Sequence, residues 1–200
     1  MTELIFATAN KNKLVEIEAI LPEFISLTDL DANGIKEDIP ETGDTFQENA
    51  RIKAEYVYQR TGKNVFAEDT GLEVYALDMQ PGVHTARYAG PGKDSNANID
   101  LLLERLNRIE DRRARFNTCI SLFYKGEIVD FIGYAEGTIA TERKGDSGFG
   151  YDPIFIPTGY SISFAEMPGE EKRSISHRTK AFSKMVTWLE DKGSDELSGD

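Results

Sequence analysis

With a single cysteine, Cys119, the chain can form no internal disulfide. No Cys or His spacing around it matches a zinc site, which leaves Cys119 as a core residue. Long apolar runs are missing as well. No stretch approaches the roughly 20 residues of a membrane span, and the apolar Leu4-Ile5-Phe6-Ala7 is too short, and too poor in preceding basic residues, for a signal peptide. A cytoplasmic protein without membrane contact is expected. Positive charge is also scarce: 23 Lys and Arg face 35 Asp and Glu, for a net charge of -12. Such a field repels DNA, RNA and anionic membranes, so polymeric nucleic acid is not an expected partner. A small anionic substrate remains compatible wherever lysines, backbone N–H groups or a divalent cation reverse the potential locally.

The 200 residues are 40% hydrophobic and 29% charged, which describes a globular chain able to bury a core. No internal repeat or linker divides it. One domain over 1–191 is expected, with the Gly-, Ser- and acid-rich residues 192–200 as a flexible tail.

The chain opens as strand, turn and helix: a buried strand at 4–7, then Leu14, Ile17 and Leu21 at helical spacing up to Pro22. The turn Thr8-Ala9-Asn10-Lys11-Asn12-Lys13 places N–H groups and Lys13 where an anion could bind, although Asn10 could equally serve only as a helix cap. A second strand over 25–30 leads to a helix starting at Asp44, with Gln47 spaced for a capping box. Phe46, Ala50, Ala54 and Val57 form its apolar stripe, and Asn49 and Lys53 fall on that same face. A lysine there either snorkels to water or meets a negative partner in a site.

Val65-Phe66-Ala67 reads as a strand ending in Glu68-Asp69-Thr70-Gly71-Leu72. Carboxylates at a strand's end suit chemistry, and strand alternation lets only one of Glu68 and Asp69 face a given site. Asp69 is the better placed, unless it merely closes an Asx turn. A long loop spans 81–92, a helix 96–106, and an antiparallel hairpin pairs 114–124 with 128–139. Ala181, Met185, Trp188 and Leu189 stripe the last helix. Near the C-terminus, Gly145-Asp146-Ser147-Gly148-Phe149-Gly150-Tyr151-Asp152-Pro153 precedes Lys172-Arg173 and His177-Arg178. Glycines permit close backbone approach, rings can face a base, and cations suit phosphate. The plainer reading is a Gly-rich hairpin followed by a solvated basic helix start.

Five ordered blocks, Thr8-x-Asn10-x-x-Lys13-x-x-Glu16, Glu48-Asn49-Ala50-x-x-Lys53-Ala54, Glu68-Asp69-Thr70-Gly71-Leu72, Gly148-Phe149-Gly150-Tyr151-Asp152-Pro153 and Ser176-His177-Arg178, resemble the inosine triphosphate pyrophosphatase family, especially its bacterial members. The resemblance implies an α/β fold, a long mixed β-sheet with flanking helices in two lobes around a nucleotide-binding cleft, and a homodimer. It implies Mg²⁺-dependent hydrolysis of deaminated purine nucleoside triphosphates (dITP, ITP, XTP) to a monophosphate and pyrophosphate. By the same resemblance, Thr8, Ala9, Asn10, Lys11, Asn12, Lys13, Lys53 and Thr70 bind substrate. Glu41 and Asp69 hold the metal, Asp69 accepts the proton, and Phe149, Gly150, Tyr151, Asp152, Lys172, His177 and Arg178 recognise the base and adjoining groups. Two positions depart from the pattern: Ala9 stands where Gly is usual, and Thr70 where Ser is common. For the second carboxylate, Glu37, Asp38, Glu48 and Glu68 are alternatives to Glu41. Two other functions use similar residues, a nucleotide sensor without turnover and a metal-dependent phosphatase releasing orthophosphate. The Maf-type pyrophosphatases, which act on modified pyrimidines, fit the Ser-His-Arg block poorly.

Overall fold

The computed structural model describes residues 1–198. Seven strands form an open mixed sheet in the order β2-β1-β3-β5-β6-β7, with β4 paired to β3. The first strand, β1 (Thr2–Phe6), is followed by helix α1 (Lys11–Glu18) and β2 (Ile25–Thr28), and β1 pairs parallel to β2. Helix α2 (Phe46–Thr61) then delivers the chain to β3 (Val65–Val74), which is also parallel to β1, with Phe6 opposite Phe66. Strands buried on both faces need continuous apolar sequence. Leu4, Ile5, Phe6, Val65, Phe66 and Ala67 supply it, each 1% exposed or less.

The short β4 (Gln80–Pro81) runs antiparallel to β3. Helix α3 (Ser95–Arg105) precedes the long strands β5 (Arg113–Tyr124) and β6 (Glu127–Ile139). Lys125 and Gly126, both with positive φ, make the two-residue turn between them. Strand β7 (Phe155–Pro157) pairs antiparallel to β6, and helices α4 (Gly169–Ile175) and α5 (His177–Ser198) complete the described chain.

Two compact units divide this topology. The first contains 1–69, 118–133 and 178–200, and the second 70–117 and 134–177. In the first, Phe6, Phe66, Ile120, Phe182 and Met185 centre one core; in the second, Phe116, Ile154, Phe155 and Phe164 centre another.

Helix α3 starts at Ser95, one residue before the expected position, while α1 starts at Lys11, inside the segment expected to be a turn. Helix α2 starts after Thr45 rather than at Asp44: the Thr45 hydroxyl accepts from the Glu48 N–H while Glu48 caps the Thr45 backbone, so Glu48 and not Gln47 completes the capping box. Strand β3 is the larger departure. Instead of turning after Ala67 it continues to Val74, because Leu72 and Val74 extend its buried face through Gly71. The loop expected over 81–92 contains a 3₁₀ turn at Gly82–Arg87. The expected tail begins inside α5, and residues 199–200 lie outside the described residues.

Candidate active site

Consecutive strand residues point to opposite faces, and Glu68 and Asp69, in mid-strand on β3, accordingly meet different partners. Glu68 is 1% exposed. Its carboxylate accepts from Arg178 Nε at 2.9 and 3.0 Å and faces Lys13 Nζ at 3.0 Å. Arg178 Nη1 also binds Glu16, so a chain of alternating charge, buried at Glu68 and Arg178, runs from Lys13 through these two to Glu16. Burial by itself would raise the Glu68 carboxyl, but Arg178 and Lys13 outweigh it and hold its pKa at about 2. Burial lowers the Lys13 ammonium while Glu68 pulls the other way.

Asp69, 8% exposed, faces the α2 side chains expected on the apolar stripe. Lys53 Nζ stands 3.5 Å from Asp69 Oδ1 and 2.6 Å from Glu41 Oε1. Asn49 Nδ2 donates to Asp69 Oδ2 at 3.1 Å. Burial lifts the Asp69 pKa above its ordinary value against the pull of Lys53 and Lys13, and Glu41 adds to the rise. Lys53 therefore does not snorkel to water; it bridges two carboxylates. The other carboxylates considered beside Glu41 are mostly engaged elsewhere: Glu37 with Tyr56 and Arg60, Glu48 in the capping box, and Glu68 with Lys13 and Arg178.

Helix α1 carries no acidic residue in its first turn. Asn10 is its cap, accepting from the Asn12 and Lys13 N–H groups, while Thr8 Oγ1 accepts from Asn10 N. Lys11, Asn12 and Lys13 thus lie at a helix start that suits an anion.

In the second unit the Gly-rich turn is built around a buried carboxylate. Asp152 Oδ2 accepts from Phe149 N and from Lys172 Nζ, each at 2.8 Å. Gly148 has φ +79°, and a Cβ there would lie 2.2 Å from that same oxygen. Lys172 Nζ sits 5.3 Å from the centroid of the half-buried Phe149 ring. His177 stacks on Phe116 at 4.6 Å. Tyr151 is a core residue whose hydroxyl donates to Thr85 O, so its ring is not a surface for a base. Lys172, His177 and Arg178 are all buried, which rules out a solvated basic helix start.

In the first unit the structure gathers Lys13, Lys53, Asp69 and Glu41; in the second it gathers Phe149, Gly150, Asp152 and Lys172. Sequence reading noted Asn49 but gave it no role. It also missed that Glu16 partners Arg178, although Glu16 sits three residues after Lys13, one helical turn away.

An open α/β sheet bearing buried lysine–carboxylate pairs and a helix start suited to anions defines a protein built for phosphate chemistry. The chain belongs to the Ham1 family, whose model matches residues 4–188. It is 51% identical over 187 residues to a dITP/XTP pyrophosphatase of Christiangramia forsetii, spanning 94% of this chain and 98% of that protein. It is 51% identical over 190 residues to the protein of the same name from Porphyromonas gingivalis, with the same shares covered. The solved Ham1 protein of Staphylococcus aureus superposes with a TM-score of 0.88 at 38% identity, covering 96% of this chain and all of that one.

Proposed function

We propose that this chain hydrolyses deaminated purine nucleoside triphosphates (dITP, ITP and XTP) between the α and β phosphorus atoms, keeping them out of DNA and RNA. Water attacks the α phosphorus, the bond to the bridging oxygen breaks, and pyrophosphate leaves. The observation that carries this reading is the buried Asp69 carboxylate held between Lys53 and Asn49 beside Glu41, in a chain half identical to dITP/XTP pyrophosphatases.

Asp69 orients the attacking water and takes its proton. Lys13 and Lys53 stabilise the charge that develops on the departing pyrophosphate, and the start of α1 adds N–H donors. Glu41 and Asp69 fit Mg²⁺: both offer hard oxygen donors against one ammonium, and magnesium typically takes one or two carboxylates and completes its shell with substrate phosphates and water. When bound, Mg²⁺ would neutralise phosphate charge and make the water more acidic.

Base choice is assigned to N–H donors. A deaminated purine presents a carbonyl at the six-position where adenine presents an amino group. N–H donors of His177, Arg178 and the backbone near Phe149 suit the carbonyl, while facing adenine's amino group leaves a buried donor unpaired at about 1–3 kcal/mol. The homodimer and a cytoplasmic location belong to the same proposal; among the described residues no helix is long and apolar enough to cross a membrane. The test is incubation with Mg²⁺ and XTP, dITP, ATP or GTP, with identification of the released phosphate. Pyrophosphate from XTP and dITP, with ATP and GTP nearly untouched, is expected. Orthophosphate would indicate a phosphatase, and saturable binding without turnover a sensor.

A further inference from the structure

Asn49 is 3% exposed on α2, one helical turn before Lys53, and both ends of its amide are used. Its Nδ2 donates to Asp69 Oδ2 at 3.1 Å, and its Oδ1 accepts from Gly43 N at 2.8 Å. The network itself fixes the amide's orientation, because a flipped amide would set oxygen against the Asp69 carboxylate and N–H against the Gly43 N–H. Lys53 makes a parallel link from the same helix face, reaching Asp69 Oδ1 and Glu41 Oε1. A closed ring results: the loop with Glu41 and Gly43, then Asn49, Asp69, Lys53 and back to Glu41. Each Asp69 oxygen has one assigned neighbour on α2.

Gly43 shows how tightly the ring is drawn. A Cβ there would lie 2.6 Å from Glu48 Cβ and 3.0 Å from Asn49 Oδ1. Glu48 is itself fixed by the capping box at the start of α2, so it cannot readily give way.

We propose that Asn49 is a positioning residue for the hydrolytic reaction: its amide orients the Asp69 carboxylate and, through Gly43, holds the loop carrying Glu41 in register with it. The inference rests on the function proposed above. Asn49 acts through Asp69 and Glu41, so its loss should lower turnover far more than substrate affinity. Hydrogen-bond partners of metal-ligating side chains typically contribute 10–100-fold to metal affinity or activity.

Three variants test this. Asn49→Asp keeps the size and the acceptor for Gly43 but replaces the donor to Asp69 with a carboxylate oxygen; Asn49→Leu removes both contacts; Gly43→Ala strains the loop while leaving Asn49 in place. With Mg²⁺ and XTP, each should lower kcat about 10–100-fold while KM moves less than about threefold, under 1 kcal/mol of ground-state binding. Thermal melts accompany the kinetics. A purely structural role predicts that the activity lost in the three variants is accounted for by the folded protein lost in the melts, and that outcome overturns the proposal, as does a wild-type kcat in Asn49→Asp. A loss carried by KM alone overturns it too, by making Asn49 a substrate contact. If Asn49→Asp does not fold, Gly43→Ala decides by the same criterion. Wild-type protein that releases no pyrophosphate from XTP would instead refute the underlying function.

Discussion

Glu68 and Asp69 are adjacent in sequence, yet the fold moves their acidities in opposite directions. Both are buried, which penalises the charged carboxylate, but Glu68 gains two full cations and Asp69 a more distant one shared with Glu41. Glu68 is thereby a stabilising anion, and its contribution has a definite pH window. Its pKa falls from the ordinary 4.5 to about 2, so the stabilisation is complete above pH 4.5 and is lost as pH falls towards 2. The stability gap between wild type and Glu68→Gln, measured by urea unfolding, should therefore be widest above about pH 4.5 and narrow towards pH 2. A gap independent of pH would mean that Glu68 is not ionised by its cations. Asp69 is the proposed reacting carboxylate: Asp69→Asn should abolish turnover while nucleotide binding, followed by calorimetry, is largely retained, and full activity in that variant would remove it from the mechanism.

At the scale of elements, β3 and the Gly-rich turn do most to place chemistry. Because β3 continues through Gly71 to Val74, Glu68 and Asp69 are anchored in a sheet and not in a mobile turn. The turn before the 3₁₀ helix at Asp152–Ile154 depends on Gly148, whose positive φ and lack of a Cβ make room for the Asp152 carboxylate. Gly148→Ala should push Asp152 from Phe149 N and Lys172. The expected result is a KM for XTP raised about tenfold or more, roughly 1.4 kcal/mol, with kcat less affected; an unchanged KM would show that this turn plays no part in substrate recognition.

For the whole molecule, the net charge of -12 decides what the chain avoids more than what it binds. Nucleic acid polymers meet a repelling field, whereas the triphosphate site proposed at Lys13, Lys53 and the α1 start needs only a local reversal of potential. The proposed homodimer belongs to this scale: sedimentation at micromolar concentration should give twice the 22.4 kDa chain mass, and a single-chain mass would remove it.

Much of this was legible in the sequence, for physical reasons that act over short distances. Helical periodicity placed Asn49 and Lys53 on the buried face of α2, alternation separated Glu68 from Asp69, and the unbroken apolar runs marked β1 and the start of β3 as buried strands. Ordered motifs identified the family. Partner choice was not legible, because burial and charge pairing join residues far apart in the chain. Only the tertiary structure brings Arg178 to Glu16 and Glu68, 162 and 110 positions away in sequence. Likewise Lys53 binds Glu41 and not Glu37 because Tyr56 and Arg60 already hold Glu37. Tyr151 entered the core rather than a base platform because the packing around Thr85 and Phe155 gave its ring and hydroxyl a place that local sequence does not encode. The sequence by itself determined which side chains are available for chemistry; the tertiary structure decided which charges neutralise one another, because burial and pairing join residues distant in the chain.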